Sequence, residues 1–249
     1  MPNPTRPAPR LLTVLAKTQL TPHMLRIRLG GAAMADFPQN QASAYVKLIW
    51  PSATDPRAVV RTYTIAAQWP DALDIDFVLH EDAGPAAHWA RTVEIGESIL
   101  VGGPGAKKLI EPHASYYLLA GDMTALPALS VNLAQLPADA QGHCFIEVIS
   151  QADIQPLIHP EGIELHWLIN PQPGAAPDLL ASTMAQIDWP ETGVGLWAAC
   201  EFSSMRAIRA LVRERLPNRP ANVYISSYWK LGASEDQHKV SKREDAQNQ

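Results

Sequence analysis

The hydrophobic rhythm of the chain changes once, near residue 112, and that change restricts the available folds more than any other feature. Before it, short segments alternate apolar and polar residues, the period-two pattern of half-buried strands. "MLRIRLG" sets Leu25, Ile27 and Leu29 against Arg26 and Arg28. "LDIDFVLH" sets Leu73, Ile75, Phe77 and Leu79 against Asp74, Asp76 and His80. "AYVKLIWP" stops at Pro51, and "ESILVGGPG" runs into a glycine-proline turn. Such punctuation predicts a small antiparallel barrel or sandwich, with one helix starting at "GPAAHWART". After residue 112 come "SYYLLAG", "HCFIEVIS", "IELHWLI", "VGLWAAC" and "ANVYISSY", compact apolar runs suited to strands buried on both faces. Helical stretches separate them, the clearest being "EFSSMRAIRALVRERL". Alternating strand and helix predicts a parallel sheet with crossovers. The expected organisation is a β domain over 1–112 and an α/β domain over 113–249. The closing "ASEDQHKVSKREDAQNQ" has almost no apolar face and reads as a solvated helix or disorder.

A chain of 249 residues has room for a core in each of two domains. Its net charge of −5 and isoelectric point of about 5.9 argue against nucleic-acid binding, so an anionic ligand needs a local positive pocket. Cys144 and Cys200 are too few for a disulfide framework and lack metal-type spacing, which suits a reducing cytoplasm. The apolar stretch "LLTVLA" is too short for a secretory signal, and no run reaches membrane-spanning length. The first ten residues read as a flexible arm. His23, His80 and His88 have no spaced partner ligands, so no metal site is expected. The chain is expected to be a cytoplasmic monomer without membrane insertion.

Three junctions carry the chemistry. In "RTYTI", strand alternation turns Arg61 and Tyr63 one way and Thr62 and Thr64 the other. A cation, an aromatic plane and hydroxyls suit a ligand with phosphate and a flat ring, although an ordinary polar strand would look the same. In "HEDAGPAAHWA", Gly84 permits a turn and Pro85 suits a first helical position, so the amides that follow can face an anion. In "LLAGDMTALPAL", a strand passes through Gly121 into a helix that Asp122 or Thr124 can cap, without a GxGxxG fingerprint. "AACEFSSM" is a second such junction, expected beside the first.

Together "RTYTI", "DFVLHEDAGPAAHWA", "LLAGDMTALPAL", "LWAACEFSSMRAIRALVRE" and "VYISSYWKLGASEDQHK" resemble the siderophore-interacting protein family, in order, from about residue 10 to 240. The resemblance implies a six-stranded antiparallel flavin-binding barrel followed by an NAD(P)-binding-type α/β domain. It implies bound FAD, a ferric siderophore as substrate, and NADH, NADPH or reduced ferredoxin as electron donor. By position, Arg61, Thr62, Tyr63, Thr64, His80, Gly84, Pro85 and Ala86 resemble the family's FAD contacts. Asp122, Thr124, Ala125, Glu201 and Arg206 resemble its donor side. Lys47 matches a lysine near flavin and chelate, and Lys230 is a second candidate for a cationic dock, with Lys107 and Lys108 behind them. Departures are Ala66 in place of a common arginine, Met123 in "GDMT", Cys200 in "ACE", and Val131 and Asn132 where a basic residue is common. Asp153 in "SQADIQ", with no arginine near it, favours NADH over NADPH. Two other readings stay open: a general NAD(P)H:flavin or ferredoxin reductase, and a non-enzymatic siderophore-binding flavoprotein.

Overall fold

Why the first half closes on itself follows from its registers. In the computed structural model, which describes residues 8–50, 58–80, 84–217 and 222–247, six strands form this half. They are β1 (Arg10–Thr21), β2 (Met24–Gly30), β3 (Tyr45–Trp50), β4 (Val59–Gln68), β5 (Ala72–Val78) and β6 (Ser98–Gly102). Their order is β1-β2-β5-β4-β3-β6, closed and antiparallel throughout, a barrel rather than a sandwich. Of the ten residues read as an arm, the first seven lie outside the described residues, and Arg10 already opens β1. Leu12 and Val14 of "LLTVLA" are wholly buried in the barrel with Ile27, Leu29, Val46, Leu48, Ile65, Ile75 and Phe77.

Asp74 and Asp76, on the polar face of "LDIDFVLH", are buried, contrary to what alternation alone suggests. Arg26 stands opposite Asp76 and Arg28 opposite Asp74 across β2 and β5. Each pair is bidentate, with Nε and Nη2 donating at 2.6 and 2.7 Å for Arg26 and at 2.7 and 2.9 Å for Arg28. Trp69 Nε1 adds a 2.9 Å bond to Asp74, and its ring lies under the Arg28 guanidinium at 4.5 Å. Paired carboxylates can therefore be buried. A one-residue slip would drive the arginines into the core, so these pairs fix the register.

Helix α1 (Pro85–Thr92) follows β5. A chain of rings fastens it to the barrel, from Tyr63 to Phe77 at 4.5 Å, Phe77 to Trp89 at 5.7 Å and Trp89 to Trp50 at 5.6 Å. Lys17 closes its far end, donating to the carbonyls of Arg91 and Val93 at 3.0 and 2.8 Å.

The first unit runs to Lys108 and the second begins at Leu109. The second contains β7 (Tyr116–Asp122), α2 (Leu126–Ala134), β8 (Gly142–Val148), β9 (Ile163–Ile169), α3 (Leu179–Met184), β10 (Val194–Glu201), α4 (Phe202–Arg215), β11 (Val223–Trp229) and α5 (Glu235–Gln247). Its strands lie in the order β11-β10-β7-β8-β9, all parallel. The order reverses between β7 and β10, which places a crevice at the carboxyl ends of those two strands. Among the described residues, no helix is long and apolar enough to cross a membrane.

The polar tail is a docked helix, α5, and its anchors are polar contacts rather than an apolar stripe. Ser227 Oγ and His238 Nε2 are 2.7 Å apart and buried. Lys242 Nζ donates to Ser226 Oγ and the Ser227 carbonyl at 3.0 and 2.9 Å, and Lys230 Nζ donates to Ser241 Oγ at 2.9 Å. Burial first, and the Lys242 charge second, push the His238 imidazole down to about 4. In the unfolded chain it titrates near its usual value of about 6.5, so below that pH the unfolded state gains a proton the folded state resists. Stability is therefore expected to fall as pH drops from about 6.5 towards 4, by up to ~1.4 kcal/mol per unit. Thermal unfolding at pH 7 and pH 5 measures this, and His238→Gln should flatten the difference.

Candidate functional site

In the barrel, β3 and β4 bring together an outer patch that sequence alternation alone does not reveal. Their register sets Lys47 opposite Thr62 and Tyr45 opposite Thr64. The Lys47 ammonium donates to Thr62 Oγ1 and lies 5.7 Å from the centre of the Tyr45 ring. Tyr45 is exposed, and its ring lies flat over Gly105, where any β-carbon would fall inside the ring. Tyr45 is a candidate missed by sequence reasoning, since only its pairing with Thr64 reveals it. Tyr63 turns the other way, as alternation requires, and its half-buried ring rests on Phe77.

Arg61 shares the face of Tyr63, and its guanidinium has one hydrogen bond among the described residues, from Nη1 to the Val60 carbonyl at 2.9 Å. The start of α1 has no side-chain cap among the described residues. Gly84 gives no side-chain cap, the first turn carries no acid, and a β-carbon on Gly84 would meet nothing within 4 Å. Pro85 is exposed beside Gly84, and Ala86 is buried as the helix turns inward. His80 is exposed and its carbonyl accepts from Arg91 Nη2 at 2.8 Å. A guanidinium and a helix N-terminus without anionic partners among the described residues, with a patch of hydroxyls and one aromatic ring, fit a dinucleotide carrying a flat ring.

The second unit gathers carboxylates at its strand ends. Asp122 ends β7, accepting from Thr124 N at 2.9 Å, Thr124 Oγ1 at 2.5 Å and Trp229 Nε1 at 2.8 Å. Burial nevertheless raises its carboxyl above the ordinary range. Glu201 ends β10 and caps α4, with Oε2 accepting from the amides of Ser203 and Ser204 and Oε1 from that of Leu231. Glu147 on β8 accepts from Asn170 Nδ2 at 2.8 Å, and burial, with Asp122 and Glu201 adding to it, pushes it up to about 7. Trp229 and Leu231, in the "SSYWKLG" tail, thus tie down the two junction carboxylates.

Sequence reasoning is right that the two junctions lie side by side, since Ala120 and Gly121 face Ala198 and Ala199. The space above Gly121 is not left for a ligand, however. A β-carbon there would meet the Ala199 carbonyl at 3.0 Å and Ala125 Cβ at 3.1 Å, so glycine serves the close approach of β10 and α2. Ala125 is fully buried at the start of α2. Arg206 points outward from α4, two-thirds exposed, 3.6 Å from Asp245 of α5. Lys230 is turned to α5, and its ammonium lies 4.9 Å from the Phe202 ring.

Three of the departures, Met123, Cys200 and Asn132, find structural reasons. Met123 and Cys200 are buried, and burial raises the Cys200 thiol far above its usual range, making it an inert packing group. Asn132 bridges within the second unit, accepting from Ile110 N at 2.7 Å and donating to the Ala128 carbonyl at 2.8 Å. Asp153 is wholly buried and closes a capping box on Ser150, so its carboxylate is spent and the preference for NADH loses its basis.

A closed six-stranded antiparallel barrel followed by this parallel sheet defines a two-domain protein of the ferredoxin-reductase-like fold. Residues 114–232 match the sequence profile "Siderophore-interacting protein", and two overlapping stretches, 13–56 and 50–108, match "Siderophore-interacting FAD-binding domain". The "Ferric vibriobactin reductase ViuB" of Vibrio cholerae is 31% identical over 250 residues, covering 92% of each chain. Among solved structures, the siderophore-interacting protein SipS from Aeromonas hydrophila has a TM-score of 0.87 at 33% identity, covering 97% of this chain and 99% of its own. A siderophore utilization protein from T. fusca gives 0.81 at 33% identity, covering 92% and 97%. The chain belongs to the siderophore-interacting protein family, and its barrel is an FAD-binding domain.

Proposed function

We propose that the protein is an FAD-dependent reductase that converts Fe(III) held in a siderophore to Fe(II). What supports this reading is that the barrel carries Arg61, whose guanidinium has no anionic partner among the described residues, an α1 start without a side-chain cap, and an exposed patch bearing Lys47. The similarity to a protein named as a ferric vibriobactin reductase supports it. When bound, FAD supplies the exchange between a two-electron donor and a one-electron acceptor that ferric iron requires.

Arg61 and the amides at the start of α1 hold the pyrophosphate, assisted by Gly84, Pro85 and Ala86, and the loop at His80 borders them. Thr62 and Thr64 hydrogen-bond the ring edge, and Tyr63 supports the strand from inside the barrel. Lys47 gives the patch its positive charge and attracts an anionic chelate, an attraction that added salt should weaken. Lys230 is a second docking cation on its own unit.

The donor is NADH, NADPH or reduced ferredoxin, received by the unit that carries Asp122, Thr124, Ala125, Glu201 and Arg206. Because Thr124 and Trp229 already engage Asp122, and Glu201 already caps α4, a dinucleotide must rest its phosphates elsewhere on this unit.

Lys47→Ala is expected to raise KM for an anionic ferric siderophore about threefold to tenfold, the loss of one charge-assisted contact, with FAD content unchanged. Unchanged kinetics would remove Lys47 from the dock. The whole proposal is tested by offering each donor anaerobically to the FAD-loaded protein, then adding ferric siderophore. Bleaching by one donor and return of colour with Fe(II) production is the expected result. Return of colour only with free flavin or ferredoxin would favour a general reductase. Failure of every donor would favour a non-enzymatic siderophore-binding flavoprotein.

A further inference from the structure

The second unit carries a cluster remote in sequence from both strand-end junctions. Strands β8 and β9 pair so that His143 stands opposite Glu164, and Phe145 opposite His166. Because side chains two apart on a strand share a face, Glu164 and His166 project together, beside His143. Nδ1 of His143 and Nε2 of His166 are 2.9 Å apart. The two oxygens of Glu164 straddle them, Oε2 at 3.6 Å from His143 Nδ1 and Oε1 at 3.7 Å from His166 Nε2.

These separations are of the size found between neighbouring ligand atoms of one ion, with either Glu164 oxygen near an imidazole nitrogen. A tetrahedral ion with bonds of about 2.0–2.1 Å holds its ligand atoms about 3.3 Å apart. The three separations, 2.9, 3.6 and 3.7 Å, bracket that value. The rings are also oriented by their neighbours. Phe145 stacks on His166 with centroids 4.6 Å apart, and Tyr116 meets the edge of His143 at 6.0 Å. Both imidazoles are half-buried, while Glu164 is two-thirds exposed and leaves an open approach from solvent.

We infer that His143, Glu164 and His166 bind one divalent first-row transition-metal ion, with the remaining coordination positions open to water. Two imidazole nitrogens and one carboxylate form a donor set for zinc, nickel, copper or ferrous iron, and a poor one for magnesium or calcium, which prefer all-oxygen shells. The ion ties the edge strand β9 to β8. Binding to the folded state alone stabilises the protein in proportion to ion concentration over Kd. The inference stands on this cluster alone and is independent of the flavin reading.

Tag-free, chelator-stripped full-length protein should be titrated calorimetrically with Zn2+, Ni2+ and, anaerobically, Fe2+, with Mg2+ as the control. One equivalent per chain is expected for at least one transition ion and none for Mg2+. Glu164→Gln and His166→Gln should each weaken that binding by more than the roughly 10–100-fold that loss of an outer hydrogen-bond partner to a ligand costs. The exposed position of Glu164 makes its variant a safe one for folding. Absence of stoichiometric binding by all three ions, or equal affinity in wild type and Glu164→Gln, would overturn the inference.

Discussion

Arg61→Ala should raise the dissociation constant for FAD about 10–100-fold, because a guanidinium on a pyrophosphate contributes about 1.5–3 kcal/mol and each 1.4 kcal/mol is tenfold. The expectation rests on what Arg61 does not do inside the protein. Its one hydrogen bond among the described residues reaches the neighbouring Val60 carbonyl, so removing the side chain leaves no buried partner stranded. The FAD-free variant should therefore unfold within about 2 °C of wild type, as expected for a change of less than ~0.5 kcal/mol. Arg61→Lys should fall between the two, keeping the charge and losing the two-pronged geometry. Titration of FAD into flavin-free protein measures all three. Equal affinities would free Arg61 from any role in holding the cofactor.

Glu201→Ala should have the opposite profile, a large loss of stability in the second unit. The carboxylate is buried and satisfies three amides, those of Ser203 and Ser204 at the start of α4 and that of Leu231 beyond β11. Loss of a helix cap costs about 1 kcal/mol, and a buried amide left without an acceptor about 1–3 kcal/mol more. A total near 3 kcal/mol corresponds to a fall in Tm of roughly 6–12 °C for a chain of this size. Glu201→Gln keeps an acceptor on one side and should lose about half as much, roughly 1.5 kcal/mol. A Tm within 2 °C of wild type in the alanine variant would contradict the cap, by the same conversion of about 2–4 °C per kcal/mol.

The two-part architecture is legible in the sequence because period and burial are local properties. "MLRIRLG" is β2 residue for residue, and "GPAAHWART" yields α1 from Pro85. What depends on register is not legible in the same way. Asp74 and Asp76 read as solvated because nothing local says that Arg28 and Arg26 stand opposite them. Tyr45 enters the patch only through its pairing with Thr64, and Lys47 meets Thr62 for the same reason. The metal-type cluster escaped because its halves lie on two strands. The spacing of Glu164 and His166 was a visible signal, but His143 joins them only through the parallel pairing of β8 with β9. The tail lacks an apolar stripe, so periodicity could not show that His238, Lys242 and Lys230 would dock it by hydrogen bonds.

In the second unit, the two strand-to-helix junctions are legible from spacing, but what their carboxylates bind is not. The sequence offers Asp122 as a helix cap and the family resemblance sets Asp122 and Glu201 on the donor side, whereas both are engaged with backbone amides of their own unit and Asp122 caps no helix. Local capping chemistry and anion binding use the same helix ends, so a sequence cannot tell which one consumes them.

The central claim is that the barrel holds a flavin, and titration of FAD into the purified, flavin-free protein tests it most directly. Visible absorbance and flavin fluorescence should change saturably, with one FAD per chain and the anion site at Arg61 required for full affinity. A colourless protein whose added FAD keeps the spectrum of free flavin at every concentration would contradict the account.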